Sequence, residues 1–277
     1  MHIIYEPVIK WSGSKRSQAN DILQYFPKEI DTYYEPFCGG ASILRRLLES
    51  DIKVKNFICS DLNNDLISLW NEIKNNPNKV LGYYITLWNE LNFNDDKERK
   101  KQYFNKVRER FNKEKSPLDF MFIMRTTTNG MPRYNKNGEF NNSFHITRNG
   151  IVPETLANII LEWSNLLNKN NVEFKSCSYE NIKPKENDFC YLDPPYANTK
   201  GMYYGAIDYI IFFDWIRNLP CKYTLSFDGV SGDVNNTYSV PNDIYSKHEY
   251  LLNGNSSFKR TIGNSNDSVV YESLYIR

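Results

Sequence analysis

Residues 189–196 read Phe189-Cys190-Tyr191-Leu192-Asp193-Pro194-Pro195-Tyr196. The run is apolar up to Leu192, and an acid and two prolines end it. A strand is therefore predicted over 188–193, with Asp193 at its carboxyl end. In an open α/β sheet, ligands bind outside the carboxyl ends of the strands. The stretch thus puts a carboxylate, two proline carbonyls and an aromatic ring at the edge where a ligand would sit. Taken alone, the four residues from Asp193 to Tyr196 fit an ordinary turn after a buried strand about as well.

The residue types suit an exocyclic amine. Such a nitrogen is a poor nucleophile because its lone pair is delocalised into the ring. A carboxylate and a backbone carbonyl can accept its two N–H bonds and let it move towards tetrahedral geometry, with the lone pair turned on an electrophilic methyl. These bonds strengthen as positive charge develops. Pro194 and Pro195 lack N–H groups and fix φ, which presents carbonyls inward. Tyr196 can stack on a base.

Outward from this stretch, six more β-branched or aromatic runs bounded by turn residues read as strands: 32–36, 54–61, 172–178, 222–227, 248–252 and 269–276. Helical patterns fall over 17–26, 42–48, 153–167 and 206–218. The third carries Leu156, Ile159, Ile160, Trp163, Leu166 and Leu167 on one stripe, with Pro153 suited to the first turn. Strand–helix alternation predicts an α/β fold with a mostly parallel sheet. The region 64–150 breaks it, with helices expected over 66–73, 80–91, 98–111 and 118–124. Asn137-Gly138 then favours a two-residue hairpin turn in which both central residues take positive φ. The expected organisation is a core of 1–63 and 151–277, with 64–150 as an inserted helical domain carrying a hairpin.

Two further motifs flank the first strands. Glu35-Pro36-Phe37-Cys38-Gly39-Gly40 joins a strand to a helix, and its small residues let a ligand approach the backbone. It is not G-x-G-x-x-G and no phosphate-loop lysine follows, which disfavours a dinucleotide or ATP site. Asp61 ends the next strand, where an acid binds ribose hydroxyls in nucleoside-binding sheets. Lys10-Trp11-Ser12-Gly13-Ser14-Lys15 offers an indole and two ammonium groups, suited to a nucleoside lid but on its own an ordinary surface turn.

Composition narrows the class. The chain has 277 residues and a net charge of +1, with a mean hydropathy of −0.60. No apolar run approaches the roughly 20 residues of a membrane span, and the start lacks a charged-then-apolar leader pattern. Five scattered cysteines without a C-x-x-C pair, and three histidines, support neither a disulfide framework nor a zinc or His-based metal centre. A reducing cytoplasm fits. The near-zero net charge hides an asymmetry. Residues 1–150 carry +5 and 151–277 carry −4, while 97–148 alone carry +8. A basic, aromatic-bearing segment can line a phosphate backbone, although a solvated helix face is the commoner origin of such charge.

In order, Lys10-Trp11-x-Gly13-x-Lys15, Glu35-Pro36-Phe37-x-Gly39-Gly40, the helical insertion and Asp193-Pro194-Pro195-Tyr196 resemble the Dam-type DNA adenine-N6 methyltransferases, the α-ordered D12 class. Arg125-x-x-x-Asn129-Gly130-x-x-Arg133-Tyr134-Asn135 and Gly138-Glu139-Phe140-Asn141 look like that class's recognition hairpin, and the 258–275 tail looks like its closing strand. The resemblance implies a Rossmann-like seven-stranded sheet with an antiparallel last strand, S-adenosyl-L-methionine as methyl donor and double-stranded DNA as partner. By position it implies that Trp11, Ser12, Lys15, Glu35, Pro36, Phe37, Gly39, Gly40, Asp61 and Asp193 hold the donor, with Ser178 and Tyr179 near its adenine. Asp193, Pro194, Pro195 and Tyr196 would hold a flipped-out adenine. Lys10, Thr128, Asn129, Met131, Arg133 and Asn135 would meet DNA, and an arginine at a guanine edge is worth ~1–3 kcal/mol of discrimination.

Thr128, Met131-Pro132 and Asn142-Ser143 depart from the family's hairpin residues, so a GATC-like target stays open. The expected protein is a cytoplasmic monomer of bacterial or phage origin that needs no metal and no membrane, with a cognate restriction endonuclease an open partner. Transfer to cytosine N4 or RNA competes with this reading, although cytosine-N4 enzymes more often carry Ser where Asp193 stands. A catalytically silent DNA-binding subunit is the reading from another class, and the intact Asp193 to Tyr196 motif speaks against it.

Overall fold

The computed structural model describes residues 7–196, 207–231, 234–235, 238–255 and 269–277. The Lys259-Arg260 pair, Ala206 and the first part of the 258–275 tail lie outside them. Among the described residues, seven strands form one continuous sheet in the order β3-β2-β1-β4-β5-β8-β7. These are β1 (Glu29–Glu35), β2 (Lys53–Asp61), β3 (Glu173–Ser176), β4 (Phe189–Leu192), β5 (Lys222–Ser231), β7 (Lys247–Asn255) and β8 (Val269–Ile276). The first five run parallel, and β8 is antiparallel between β5 and β7. A two-residue strand, β6 (Val234–Asn235), pairs with β5 off this path. The fold is thus the expected mixed α/β sheet.

Topology sets the site. From β1 the chain moves outward to β2 and β3, then returns to β4 on the other side of β1 and continues to β5. The order reverses between β1 and β4, and such a switch point opens a crevice at the carboxyl ends of the strands. Central β4 is buried at all four residues, whereas edge β3 buries only Phe174. That contrast explains why β4 is a continuous apolar run in the sequence.

Helices cover the faces. They are α1 (Ala19–Leu23), α2 (Ser42–Leu47), α3 (Asn64–Asn75), α4 (Pro77–Leu91), α5 (Lys97–Glu114), α6 (Pro117–Thr126), α7 (Pro153–Lys169) and α8 (Tyr209–Arg217). Asn63 caps α3 by accepting from Leu66 N, and Asp96 caps α5 by accepting from Glu98 N and Arg99 N. Helix α6 is buried from Leu118 to Thr126, as a helix surrounded by others must be. Trp70 on α3 packs against Trp163 on α7 and stacks on Phe174 of β3, with centroids 4.8 and 5.4 Å away. One apolar cluster therefore runs from the sheet through α3–α7.

Three local expectations change. Helix α1 is shorter than 17–26, because Tyr25 N and Phe26 N bond to residues three back and Pro27 follows. Helix α8 starts at the Asp208 cap rather than at 206. The hairpin has a three-residue loop. Gly138 N bonds to Asn135 O, Asn135 N bonds to Glu139 O, and positive φ falls on Gly138 (+75°) but not on Asn137. Asn135 Oδ1 accepts from Asn137 N and Glu139 N, and this side-chain capping selects a tight turn followed by one left-handed glycine over the two-residue form. The arms form two single bridges, Tyr134 with Phe140 and Thr127 with Phe144, and are joined further by Asn141 N bonding Arg133 O and Thr128 N bonding Ser143 O.

Candidate active site

The switch point opens into a cavity of about 560 Å³, lined from one end by Trp11, Phe37, Gly39, Asp61, Ser178 and Tyr179. At the other end it is lined by Asp193, Pro194, Pro195, Tyr196, Ile207 and Ile211. Its size lies in the range of small-molecule sites. Both halves of the motif set thus line a single space. Ser12, Lys15, Glu35 and Gly40 also line it, while Pro36 is buried behind the wall.

The glycine turn is built for close approach. Gly39 has φ +45°, and a Cβ there would stand 2.7 Å from Trp11 Nε1, so the indole lies directly on the turn. Gly39 N donates to Asp61 Oδ2 (3.2 Å) and Trp70 Nε1 donates to Gly39 O (3.0 Å). Asp61 also accepts from Asn63 N at 2.9 Å. Burial raises the Asp61 pKa to about 6, against the pull of these N–H donors. Glu35 is more extreme. Burial carries it to about 8, although Tyr33 Oη donates to it at 2.8 Å. At neutral pH Asp61 is ionised, and Glu35 is mostly a neutral acid.

Lys15 organises the other half. Its ammonium lies 3.0 Å from Asp193 Oδ1, 3.0 Å from Gly13 O and 3.5 Å from Glu272 Oε2. It also sits 4.9 Å from the centre of the Tyr196 ring. Lys15 is 3% exposed, so water screens little of this attraction. Burial lifts the Asp193 pKa to about 6, Lys15 opposes the rise and Glu272 adds to it. Tyr196 donates to Glu272 Oε2 at 3.3 Å and packs edge-on against Phe227. The carbonyl of Pro195 is taken by Tyr209 Oη at 2.6 Å. Of the two proline carbonyls expected to face the ligand, that of Pro195 thus already accepts one hydrogen bond within the protein. Glu272 bears no motif signature. Its one mark in the sequence is an acid within the mostly apolar closing strand.

The residues expected to meet DNA form a separate group beside this cavity. Asn129 (φ +58°) and Gly130 (φ +63°) turn the chain against Lys10, where a Cβ on Gly130 would overlap the Lys10 side chain and come within 2.8 Å of its carbonyl oxygen. Asn142 Nδ2 ties the turn by donating to Thr128 O (2.9 Å) and Met131 O (3.0 Å). Thr128 Oγ1 donates to Ser143 O, and Asn135 is engaged within its own turn. Lys10, Asn129 and Arg133 are exposed, and Pro132 reaches the cavity wall. Tyr134 turns inward, donating to Asp65 Oδ2 at 2.7 Å and receiving from Asn63 Nδ2 at 3.4 Å. Among the described residues, no three His, Cys, Asp or Glu side chains group as a metal site requires, and no helix is long and apolar enough to cross a membrane.

The chain is similar to the type II methyltransferase M.MjaIII of Methanocaldococcus jannaschii, 33% identical over 207 residues, 69% of each chain. It is 26% identical over 247 residues to the type II methyltransferase M1.LlaDCHI of Lactococcus lactis subsp. cremoris, covering 84% of this chain and 81% of that one. It is 28% identical over 199 residues to the DNA adenine methylase of Haemophilus influenzae, covering 70% and 64%. Residues 11–219 match the family model of the D12 class N6 adenine-specific DNA methyltransferases, and the chain belongs to that family.

Proposed function

We propose that this chain transfers a methyl group to N6 of an adenine flipped out of a short double-stranded DNA sequence, with Asp193 and Pro194 holding the amine. The observation that carries the assignment is the shared cavity: the glycine turn with Asp61 at one end, Asp193 to Tyr196 at the other. A target nitrogen inside the base stack cannot be reached in line, so the base must leave the duplex.

Bound S-adenosyl-L-methionine supplies a methyl already activated on a sulfonium. The residues fit such a group. Asp61 would accept from ribose hydroxyls, the Trp11 indole packs on the glycine turn and lines the cavity, and the Glu35 carboxyl lines the same wall. Ser178 and Tyr179 lie on the same wall.

The chain's own work lies in orientation and charge. The Asp193 carboxylate and the Pro194 carbonyl accept the two N–H bonds of the amine. This withdraws the nitrogen lone pair from the ring and turns it outward. As the nitrogen becomes cationic both bonds strengthen, so the transition state is held more tightly than the ground state. Tyr196 packs against the base. The methylated nitrogen is acidic enough that its proton needs no strong base, and Asp193 serves as acceptor and positioner.

Lys10, Thr128, Asn129, Met131, Arg133 and Asn135 are proposed to present the recognition surface, on the helical region 64–150 acting as a target-recognition insertion. Two relatives are type II methyltransferases. For this chain, a companion endonuclease, action as a monomer and a cytoplasmic setting in a bacterium or phage-infected cell belong to the proposal. The test is incubation with varied duplexes and labelled donor, followed by digestion to nucleosides. N6-methyladenine should form, and its absence across all duplexes would refute the function. Asp193→Ala should lower turnover by about 1,000-fold or more, with donor affinity changed little. Retained turnover would remove Asp193 from the mechanism.

A further inference from the structure

Glu272 stands on β8, across the sheet from the motif that it touches. Strand β5 bulges opposite it: Phe227 pairs with Ser273 and Val230 with Tyr271, so Asp228 and Gly229 face the single residue Glu272. A Cβ on Gly229 would overlap the carbonyl oxygen of Tyr271 and come within 2.7 Å of Glu272 Cα. Only glycine permits this approach, and it fixes the Glu272 backbone. The side chain, 13% exposed, reaches Lys15 at 3.5 Å and accepts from Tyr196 Oη at 3.3 Å. Lys15 meanwhile bonds Asp193 Oδ1 and Gly13 O, both at 3.0 Å. The three N–H bonds of its ammonium therefore have three acceptors around them, two of which are carboxylates.

We propose that Glu272 is a positioning residue for methyl transfer, which shares the Lys15 ammonium with Asp193 and anchors Tyr196, so that Asp193 stays a strong acceptor for the amine. A buried ammonium 3.0 Å from a single carboxylate polarises it towards the bonded oxygen and weakens it as an acceptor for a second donor. A second carboxylate draws the ammonium partly away, and its negative charge makes Asp193 the better acceptor. The hydroxyl of Tyr196 is held by the same oxygen, which couples the stacking ring to the acid beside it. The role rests on the reading of Asp193 as the amine acceptor.

The groups that face Asp193 are Lys15 from the N-terminal segment, Glu35 on β1, Tyr191 on β4, Tyr196 and Glu272 on β8. Glu35 titrates at about 8, clear of Asp193 at about 6, and Asp61, also raised to about 6, lies at the end proposed for the donor, so rates are taken at saturating donor. The test is the initial rate of N6-methyladenine formation from about pH 5 to pH 8. Wild type and Glu272→Gln are measured in parallel, with donor binding by calorimetry and folding by thermal melting. The amide keeps the size and an acceptor for Tyr196 but removes the like charge. The acid limb of the rate should move to lower pH by about half a pH unit or more, and the plateau rate should fall about tenfold or more, with donor affinity within about twofold. Glu272→Ala, which also removes the acceptor for Tyr196 Oη on β8, should lose more. A folded Glu272→Gln protein with an unmoved limb overturns the role, whether or not its plateau falls, because a merely structural residue would leave the limb in place. Wild-type turnover in the same series tests the methyltransferase reading by itself. An active wild type beside an unmoved limb therefore counts against Glu272 alone.

Discussion

Glu35 holds a carboxyl group where water barely reaches it, and burial raises its pKa to about 8. In the unfolded chain the same group titrates near 4.3. Between these values the folded form holds a proton that the unfolded form has released. The stability this proton confers is complete below the unfolded pKa and is lost as pH rises through about 8. Asp61 and Asp193, each raised to about 6, act in the same direction over a narrower window. The ligand-free protein should therefore lose stability from pH 5 to pH 8. Glu35→Gln, which never ionises, should lose distinctly less. Urea midpoints at the two pH values decide this, and equal losses in the two proteins would show that Glu35 is already ionised in the fold. Glu35 and Asp61 were legible in the sequence because each ends a strand, Glu35 just before a turn of small residues. Glu272 was not, since its place depends on a bulge in a strand more than forty residues earlier.

At the scale of elements, legibility followed burial. Strand β4 announces itself as an apolar run closed by Asp193 and two prolines, and the stripe on α7 from Leu156 to Leu167 faces inward nearly as spaced. The hairpin was misread because its turn is decided by the Asn135 side chain, which caps two N–H groups, and not by the Asn137-Gly138 pair that sequence patterns favour. Equally hidden was the seating of the Asn129-Gly130 turn on Lys10, a contact between segments 120 residues apart. Gly130 combines positive φ with backbone contact, so alanine there is strained on both counts. Gly130→Ala should displace the Thr128–Met131 turn from Lys10. Its KM for DNA should rise about tenfold or more, with donor affinity in the absence of DNA unchanged. An unchanged KM for DNA would separate this turn from recognition.

Across the whole molecule, charge and hydrogen bonding tie recognition to the donor site. The +8 of residues 97–148 is partly answered from outside that window: Arg99 pairs with Glu90 at 2.6 Å and Lys100 with Asp95 at 3.2 Å. What remains for phosphates is smaller than the sequence count, and Lys10, Arg133 and Lys136 are exposed on segments proposed to meet DNA. DNA affinity should still fall with salt, with a logarithmic slope of about −2 or steeper, and a flat response would dismiss the electrostatic reading. The second tie is directional. Tyr134 follows Arg133 in the hairpin, receives from Asn63 and donates to Asp65. Asn63 N bonds Asp61 Oδ1, and Asp61 Oδ2 holds Gly39 N in the turn beneath Trp11. A shift of the hairpin on DNA would pass through Tyr134 and Asn63 to the acid expected to hold the donor's ribose. Donor and DNA should each tighten the other's binding, by one and the same factor, since coupling is reciprocal. Tyr134→Phe removes the hydroxyl and keeps the ring. Calorimetry with S-adenosylhomocysteine, which has no methyl to transfer, measures the factor without turnover. The variant should bind this ligand within about twofold of wild type when DNA is absent, but the gain on adding duplex should shrink to less than about half. If the gain persists in full, the Tyr134–Asn63–Asp61 path carries no coupling.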